Sequence, residues 1–392
     1  MGASILRLTG RPLRVALAAG GTGGHVVPAL ALAEAMREGP VNGIAFEPAV
    51  LLGCHGGMEE SLAAEAHVTF AGLPKPKAVG FTEKLRAPLK LGAAVWQARR
   101  ELRERDIEVV VGFGGYASAA PLIAGWLSGL PTILCEQNAR AGRTNRRLAR
   151  FASLVAAQFE ECRGDFPARC QLEVLGNPLR RAVRSLAADR DLRASAIGRA
   201  ITHETTLLVM GGSQGAQPIN RLLFEALPAL KLGIPKLHLI ALVGEKETLP
   251  IAARCAELGL PAEVLPFHGA MHELYRRADF VVARSGATTL AELTAIGLPM
   301  GLIPFPQAMD DHQTCNALSL AAAGAAHVWP QAGLTPEGLA VRVVEALADR
   351  GGLAAMKKAA RKCGQPDSGL RILGRIADIV NGVRVAGEQQ AA

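Results

Sequence analysis

Residues 207–216 read LLVMGGSQGA. Four apolar residues, Leu207 to Met210, run into Gly211, Gly212, Ser213, Gln214 and Gly215, and a helical pattern follows over 220–230. Strand, glycine turn and helix start are the grammar of a doubly wound α/β sheet. At such a turn the backbone N–H groups and the helix dipole favour an anion, and Ser213 adds a hydroxyl donor. The same glycines also suit a tight turn that only needs close packing. One copy leaves both readings open.

A second copy stands near the start, where residues 15–25 read VALAAGGTGGH, with a helical pattern over 28–36. Neither copy is the dinucleotide fingerprint, because Val26 stands where a third glycine is wanted. Neither is a P-loop, since no Gly-Lys-Ser/Thr follows. The chain therefore carries two glycine-lined helix starts of another kind, one early and one midway.

At 392 residues the chain suits two domains. Its 49% hydrophobic content supplies two cores, while 4% aromatics and 20% charged residues argue against disorder and against stacking on single-stranded nucleic acid. The net charge of +8 fits anionic partners, whether phosphates or acidic lipid. No nucleic-acid motif accompanies the basic segments, so no nucleic-acid partner is expected. Seven scattered cysteines without a C-x-x-C pair suggest neither a zinc site nor a disulfide scaffold. Residues 1–14 hold no sustained apolar run, so no signal peptide is expected.

Residues 109–135 carry no charge and are long enough to cross a bilayer. Gly112, Gly114, Gly115, Pro121, Gly129 and Pro131 divide the stretch, which reads better as strand, glycine turn, helix, Gly-Leu-Pro and strand. The same Gly-Leu-Pro recurs at 297–299, between a helix over 288–296 and a strand over 300–304. The expected architecture is two Rossmann-like domains facing each other across a cleft. The first spans 1–178 and the second 179–366, with a helix over about 367–385 returning to the first. Between 80 and 106, Phe81, Leu85, Leu89 and Trp96 interleave with Lys84, Arg86 and Lys90 before a basic run. That pattern suits anionic headgroups, or an ordinary packed helix pair with a solvated basic face.

The chemistry expected at the strand ends is that of a nucleotide-sugar. Glycine N–H groups and Ser213 would hold a diphosphate, Glu292 would accept from ribose hydroxyls, and Gln313 would read sugar hydroxyls. The plain alternative for Glu292 is a solvent-facing carboxylate. His25 opens a helix beside Thr22, Gly23 and Gly24, and an imidazole titrates near neutral pH. It suits a general base; the plain alternative is a structural hydrogen bond in the first turn.

Eight motifs occur in one order: GGTGGH at 20–25, GFGGYAS at 112–118, EQN at 136–138, AGRTN at 141–145, GNPLR at 176–180, GGSQGA at 211–216, RSGATTLAE at 284–292 and HQTCNA at 312–317. On these the chain resembles the MurG family, the GT-B N-acetylglucosaminyltransferases of peptidoglycan synthesis. The resemblance implies inverting transfer of GlcNAc from UDP-GlcNAc to the MurNAc C4 hydroxyl of lipid I. It implies no cofactor and no metal, and a peripheral place on the cytoplasmic face of the inner membrane, with cell-wall synthesis proteins nearby.

By motif, Gly212, Ser213 and Gln214 would meet UDP phosphate, and Ala287, Thr288, Thr289, Leu290 and Glu292 would line the nucleotide. His268 would offer its backbone to the uracil, Gln313 would contact GlcNAc, and Arg180 falls at the donor-site arginine. Thr22, Gly23, Gly24 and Asn138 would lie on the acceptor side, with His25 as base. Phe81, Leu85, Leu89 and Trp96, joined by Trp126, would form the membrane patch. Cys135 departs from the histidine common in the family, and the 72–76 loop from its usual Gly-Leu-Arg-Gly. The rival readings are another GT-B enzyme such as a UDP-GlcNAc 2-epimerase, and a non-catalytic nucleotide-sugar-binding protein.

Overall fold

A computed structural model describes residues 11–74, 81–189, 204–212 and 215–391, with the backbone alone for 81–87 and 383–391. The chain divides into two units, 1–181 with 367–392, and 182–366.

The first unit is built on a seven-stranded parallel sheet: β1 (Leu13–Ala18), β2 (Phe46–Cys54), β3 (Phe70–Leu73), β4 (Val109–Gly112), β5 (Thr132–Glu136), β6 (Leu154–Ala157) and β7 (Leu172–Val174). Their order across the sheet is β3-β2-β1-β4-β5-β6-β7. The second unit repeats the plan with β8 (Thr205–Met210), β9 (Leu237–Leu242), β10 (Ala262–Leu265), β11 (Phe280–Ala283), β12 (Met300–Leu302) and β13 (His327–Val328), ordered β10-β9-β8-β11-β12-β13. Both sheets reverse direction beside their first strand. In open α/β sheets that reversal opens a crevice at the strands' carboxyl ends, where ligands bind. Both glycine loops leave from it, after β1 and after β8.

Strand composition follows from burial on two faces. In β4 every residue is buried, as expected of a parallel strand covered on both sides. Val109 and Val111 join the core beneath the first helix (Gly23–Met36) and the C-terminal helix (Ser368–Ala391), whereas Val110 joins the opposite core with Ala94, Ala98 and Leu102. The C-terminal helix thus returns to the first sheet through Ile372, Leu373, Ile376 and Ala377. Arg375 fixes it further, with Nε donating to Glu173 Oε2 at 2.8 Å and a terminal nitrogen to Oε1 at 2.7 Å.

The uncharged stretch 109–135 folds as β4, a short 3-10 turn, the helix Ala119–Leu127 and β5. Among the described residues no helix is long and apolar enough to cross a membrane. The two Gly-Leu-Pro segments are the same device. Gly129 (φ +72°) and Gly297 (φ +79°) are both left-handed. Leu130 N–H donates to Gly125 O at 3.0 Å and Leu298 N–H to Leu293 O at 2.9 Å, each closing the six-to-one bond of a Schellman cap.

Gly129 has open space where a Cβ would stand, while at Gly297 it would strike Arg361, whose Nε donates to Ile296 O at 3.2 Å. Gly129→Ala is therefore expected to cost about 1–2 kcal/mol from backbone strain alone, and Gly297→Ala more. Thermal unfolding of the two variants checks this; equal losses would contradict it.

Several elements differ from the sequence expectations. The first helix begins at Gly23 rather than 28 and runs through Pro28, because burial of Val26, Ala29, Leu32 and Ala33 outweighs the lost backbone bond. One helix, Phe81–Glu104, replaces a helix pair and likewise passes a proline, Pro88. The basic stretch 139–151 is helical only over Arg143–Leu148, followed by a 3-10 turn.

Candidate active site

At the carboxyl ends of β1 and β4 the two glycine loops of the first unit meet around His25. Its Nδ1 lies 3.3 Å from Gly20 O and 3.2 Å from Thr22 Oγ1. A carbonyl only accepts, so a bond to Gly20 O needs the proton on Nδ1, the tautomer in which Nε2 is the basic nitrogen. The ring is half-buried against Gly114 and Gly115 from the loop after β4; a Cβ on Gly115 would come within 3.2 Å of Nδ1 and 2.8 Å of Gly20 O. Tyr116 covers the other loop, since a Cβ on Gly21 would meet its ring at 3.3 Å. Ser118 Oγ, fully buried, lies 2.7 Å from both Ala18 O and Gly114 O and ties the ends of the two strands together. Thr22 and Gly24 are exposed beside the histidine, and Gly23 is half-buried.

Beneath this loop pair lie two buried carboxylates that the sequence reading did not single out. Glu136, 2% exposed at the end of β5, accepts four N–H bonds. Asn138 N and Nδ2 reach Oε1 at 2.9 and 3.2 Å, while Gly142 N and Asn145 Nδ2 reach Oε2 at 3.0 and 2.8 Å. One carboxylate therefore binds the EQN and AGRTN segments together, and Asn145 approaches Gly114 of the histidine's wall. Burial pushes the Glu136 pKa up, against the pull of those four donors. Glu59 accepts from Cys54 N at 3.0 Å and fills the space a side chain at Gly20 would need.

Asn138 is half-buried, with its amide committed in part to Glu136. Arg180 is half-buried where the first unit ends. Cys135 is buried, and burial raises its thiol pKa, so the residue is part of the core.

In the second unit the glycines after β8 divide by role. At Gly211 and Gly215 a Cβ would strike neighbouring backbone, which is the packing reading. At Gly212 (φ +92°), nothing among the described residues lies within 4 Å of that position, so packing against them does not require the glycine there. Ser213 and Gln214 lie outside the described residues, as do the side chains of Phe81 and Leu85.

The loop after β11 leads into the helix Ala287–Ile296. There Ala287 and Leu290 are buried, and Thr288 and Thr289 half-buried. Glu292 is 4% exposed, which excludes the solvent-facing alternative, and it accepts from Tyr275 Oη at 2.7 Å. Ser285 Oγ donates to Gln313 O at 2.7 Å, and Gln313 Oε1 accepts from Phe305 N at 3.0 Å. Arg284 is buried and donates to Ile303 O, Pro304 O and Gln331 Oε1, beneath the Phe305 ring. Burial pulls its pKa down to about 10. These bonds staple the RSG segment to the strand-end loop at 303–305 and to the start of the helix His312–Ala322, which carries Gln313. His268, in the turn after β10, has Nε2 3.5 Å from Glu273 Oε2.

Residues 15–157 match the glycosyltransferase family 28 N-terminal domain, and residues 206–369 its C-terminal domain. The UDP-N-acetylglucosamine--N-acetylmuramyl-(pentapeptide) pyrophosphoryl-undecaprenol N-acetylglucosamine transferase of Myxococcus xanthus is 38% identical over 94% of this chain and 93% of its own. The chain belongs to the MurG family. The crystal structure of Acinetobacter baumannii MurG agrees, with a TM-score of 0.76 and 30% identity over 94% of this chain and 100% of that one. A putative UDP-N-acetylglucosamine 2-epimerase from Listeria monocytogenes shares the fold alone, at a TM-score of 0.64 and 14% identity over 93% and 95% of the two chains. MurG-family motifs thus include buried residues with specific partners in each unit, Glu136 and Asn145 in the first and Arg284, Ser285 and Glu292 in the second.

Proposed function

We propose that the protein transfers GlcNAc from UDP-GlcNAc to the MurNAc C4 hydroxyl of undecaprenyl-pyrophosphoryl-MurNAc-pentapeptide, releasing UDP. The observation that carries this reading is the place of His25 at the reversal of the first sheet, with Nδ1 3.3 Å from the Gly20 carbonyl oxygen. In the reaction His25 Nε2 takes the proton of the C4 hydroxyl as its oxygen attacks the anomeric carbon in line. The bond from that carbon to the β-phosphate oxygen breaks, its electron pair leaves with UDP, and the anomeric configuration inverts. General-base catalysis is worth about 100-fold or more.

The leaving diphosphate needs donors already in place. The backbone at Gly212 and the start of the helix Ala287–Ile296 fit that task, with Ser213 and Gln214 completing the loop. Glu292 accepts from the ribose, Gln313 contacts the sugar through its amide, His268 meets the uracil through its backbone, and Arg180 serves the donor. Thr22, Gly23, Gly24 and Asn138 shape the acceptor side. Transfer of labelled sugar from UDP-GlcNAc to a lipid I analogue, with a β-linkage in the product, tests the reading. A product of retained configuration would overturn it.

The acceptor's lipid chain calls for a membrane surface on the first unit. On the helix Phe81–Glu104, Ala94, Ala98 and Leu102 face the core, while Leu89 and Trp96 are 76% and 68% exposed. Arg99, on the same outer side, donates to Ser128 Oγ and Leu127 O. The surface continues through exposed Trp126, whose ring packs on Phe151 beneath Arg150. Apolar side chains rimmed by arginine suit anionic headgroups on the cytoplasmic face of the inner membrane. A Leu89→Glu/Trp96→Glu chain is expected to lose at least tenfold in binding to anionic vesicles, with UDP affinity unchanged. Undiminished vesicle binding would remove this surface from the account.

A further inference from the structure

Tyr275 belongs to none of the eight motifs, yet it is among the largest fully buried side chains, and its hydroxyl reaches Glu292. It stands on the helix Met271–Arg277, packed within the second unit beside the helix that carries Glu292. We propose that Tyr275 is a positioning residue for nucleotide recognition: its hydroxyl fixes the Glu292 carboxylate in the orientation that accepts from the donor's ribose hydroxyls. The proposal rests on the ribose reading of Glu292.

Glu292 is buried and carries its carboxylate on three rotatable bonds. A neutral phenol donor at 2.7 Å to Oε2 fixes the plane of the group. It engages one of about four acceptor sites on the two oxygens. Ribose hydroxyls are themselves donors, which a carboxylate acceptor matches. Unlike lysine or arginine, tyrosine adds no cation beside the carboxylate. Holding an acceptor in its bound orientation before the ligand arrives reduces the ordering cost of binding.

The test is calorimetric binding of UDP and of 2′,3′-dideoxy-UDP, which keeps the uracil and diphosphate but lacks the ribose hydroxyls. The wild-type chain is expected to prefer UDP by at least about tenfold, the scale of one hydrogen bond to a charged group. Glu292→Gln should largely abolish that preference. Tyr275→Phe, which keeps the buried ring, should cut it at least about threefold with affinity for the dideoxy ligand unchanged. The double variant should match Glu292→Gln alone, because both changes act through one carboxylate.

If Tyr275→Phe keeps the wild-type preference while Glu292→Gln loses it, the tyrosine only packs. Equal weakening of both ligands in Tyr275→Phe, or additive losses of preference in the double variant, overturns the positioning role in the same way. If Glu292→Gln keeps the preference, or the wild type shows none, the ribose reading of Glu292 fails and takes the proposal with it.

Discussion

His25→Ala is expected to lower kcat for acceptor-dependent UDP release by at least about 100-fold, with UDP affinity unchanged. The two effects separate because the histidine belongs to the first unit and the proposed nucleotide residues around Glu292 to the second. Gly20 O and Thr22 Oγ1 both contact Nδ1, the nitrogen away from the proposed proton transfer. Glutamine at position 25 retains a polar side chain but has no basic nitrogen, so it should be as inactive as alanine. Steady-state kinetics with a lipid I analogue, alongside calorimetry with UDP, checks both statements. Near-normal kcat in either variant would remove the base assignment and leave the family membership untouched.

Glu136→Ala is expected to destabilise the first unit strongly. The substitution removes the acceptor of four N–H donors at once. Each buried donor left without an acceptor costs about 1–3 kcal/mol. Asn145 is buried, whereas Asn138 and Gly142 are half-buried and regain water in part. A total loss of about 3–5 kcal/mol is expected. Glu136→Gln keeps the shape but turns one oxygen into a donor facing donors, so it should recover only part of the loss. Denaturant unfolding followed by circular dichroism, together with UDP binding as a report on the second unit, measures this. A loss below about 1 kcal/mol in the alanine variant would show that the carboxylate does not organise the EQN and AGRTN segments.

Much of this architecture was legible in the residues, for identifiable reasons. Two apolar runs ending in glycines marked the strands that flank both sheet reversals, and a glycine with positive φ leaves a strong local signal. The two Gly-Leu-Pro segments announced a repeated helix end and proved to be the same Schellman cap. Short strands were harder to read. β10, of four residues, and β13, of two, owe their pairing to neighbours rather than to any pattern of their own.

The polar groups beneath the sites were hidden for another reason. Glu59, Glu136, Tyr275 and Arg284 look like surface residues in a sequence, and only the tertiary fold shows that each is buried against a specific partner. A signal existed for Glu136 and Arg284, which stand at the starts of quoted motifs, directly at strand ends. Tyr275 had no such marker; its place between Leu274 and two arginines reads as an ordinary helix face. At Pro28 the local preference for a helix start gave way to packing, and the helix begins at Gly23.

The most direct measurement is UDP release from UDP-GlcNAc with and without a lipid I analogue. The account predicts release that depends on the acceptor and yields one equivalent of GlcNAc-bearing lipid per UDP. Equal turnover without acceptor, with the sugar epimerised or hydrolysed, would contradict it.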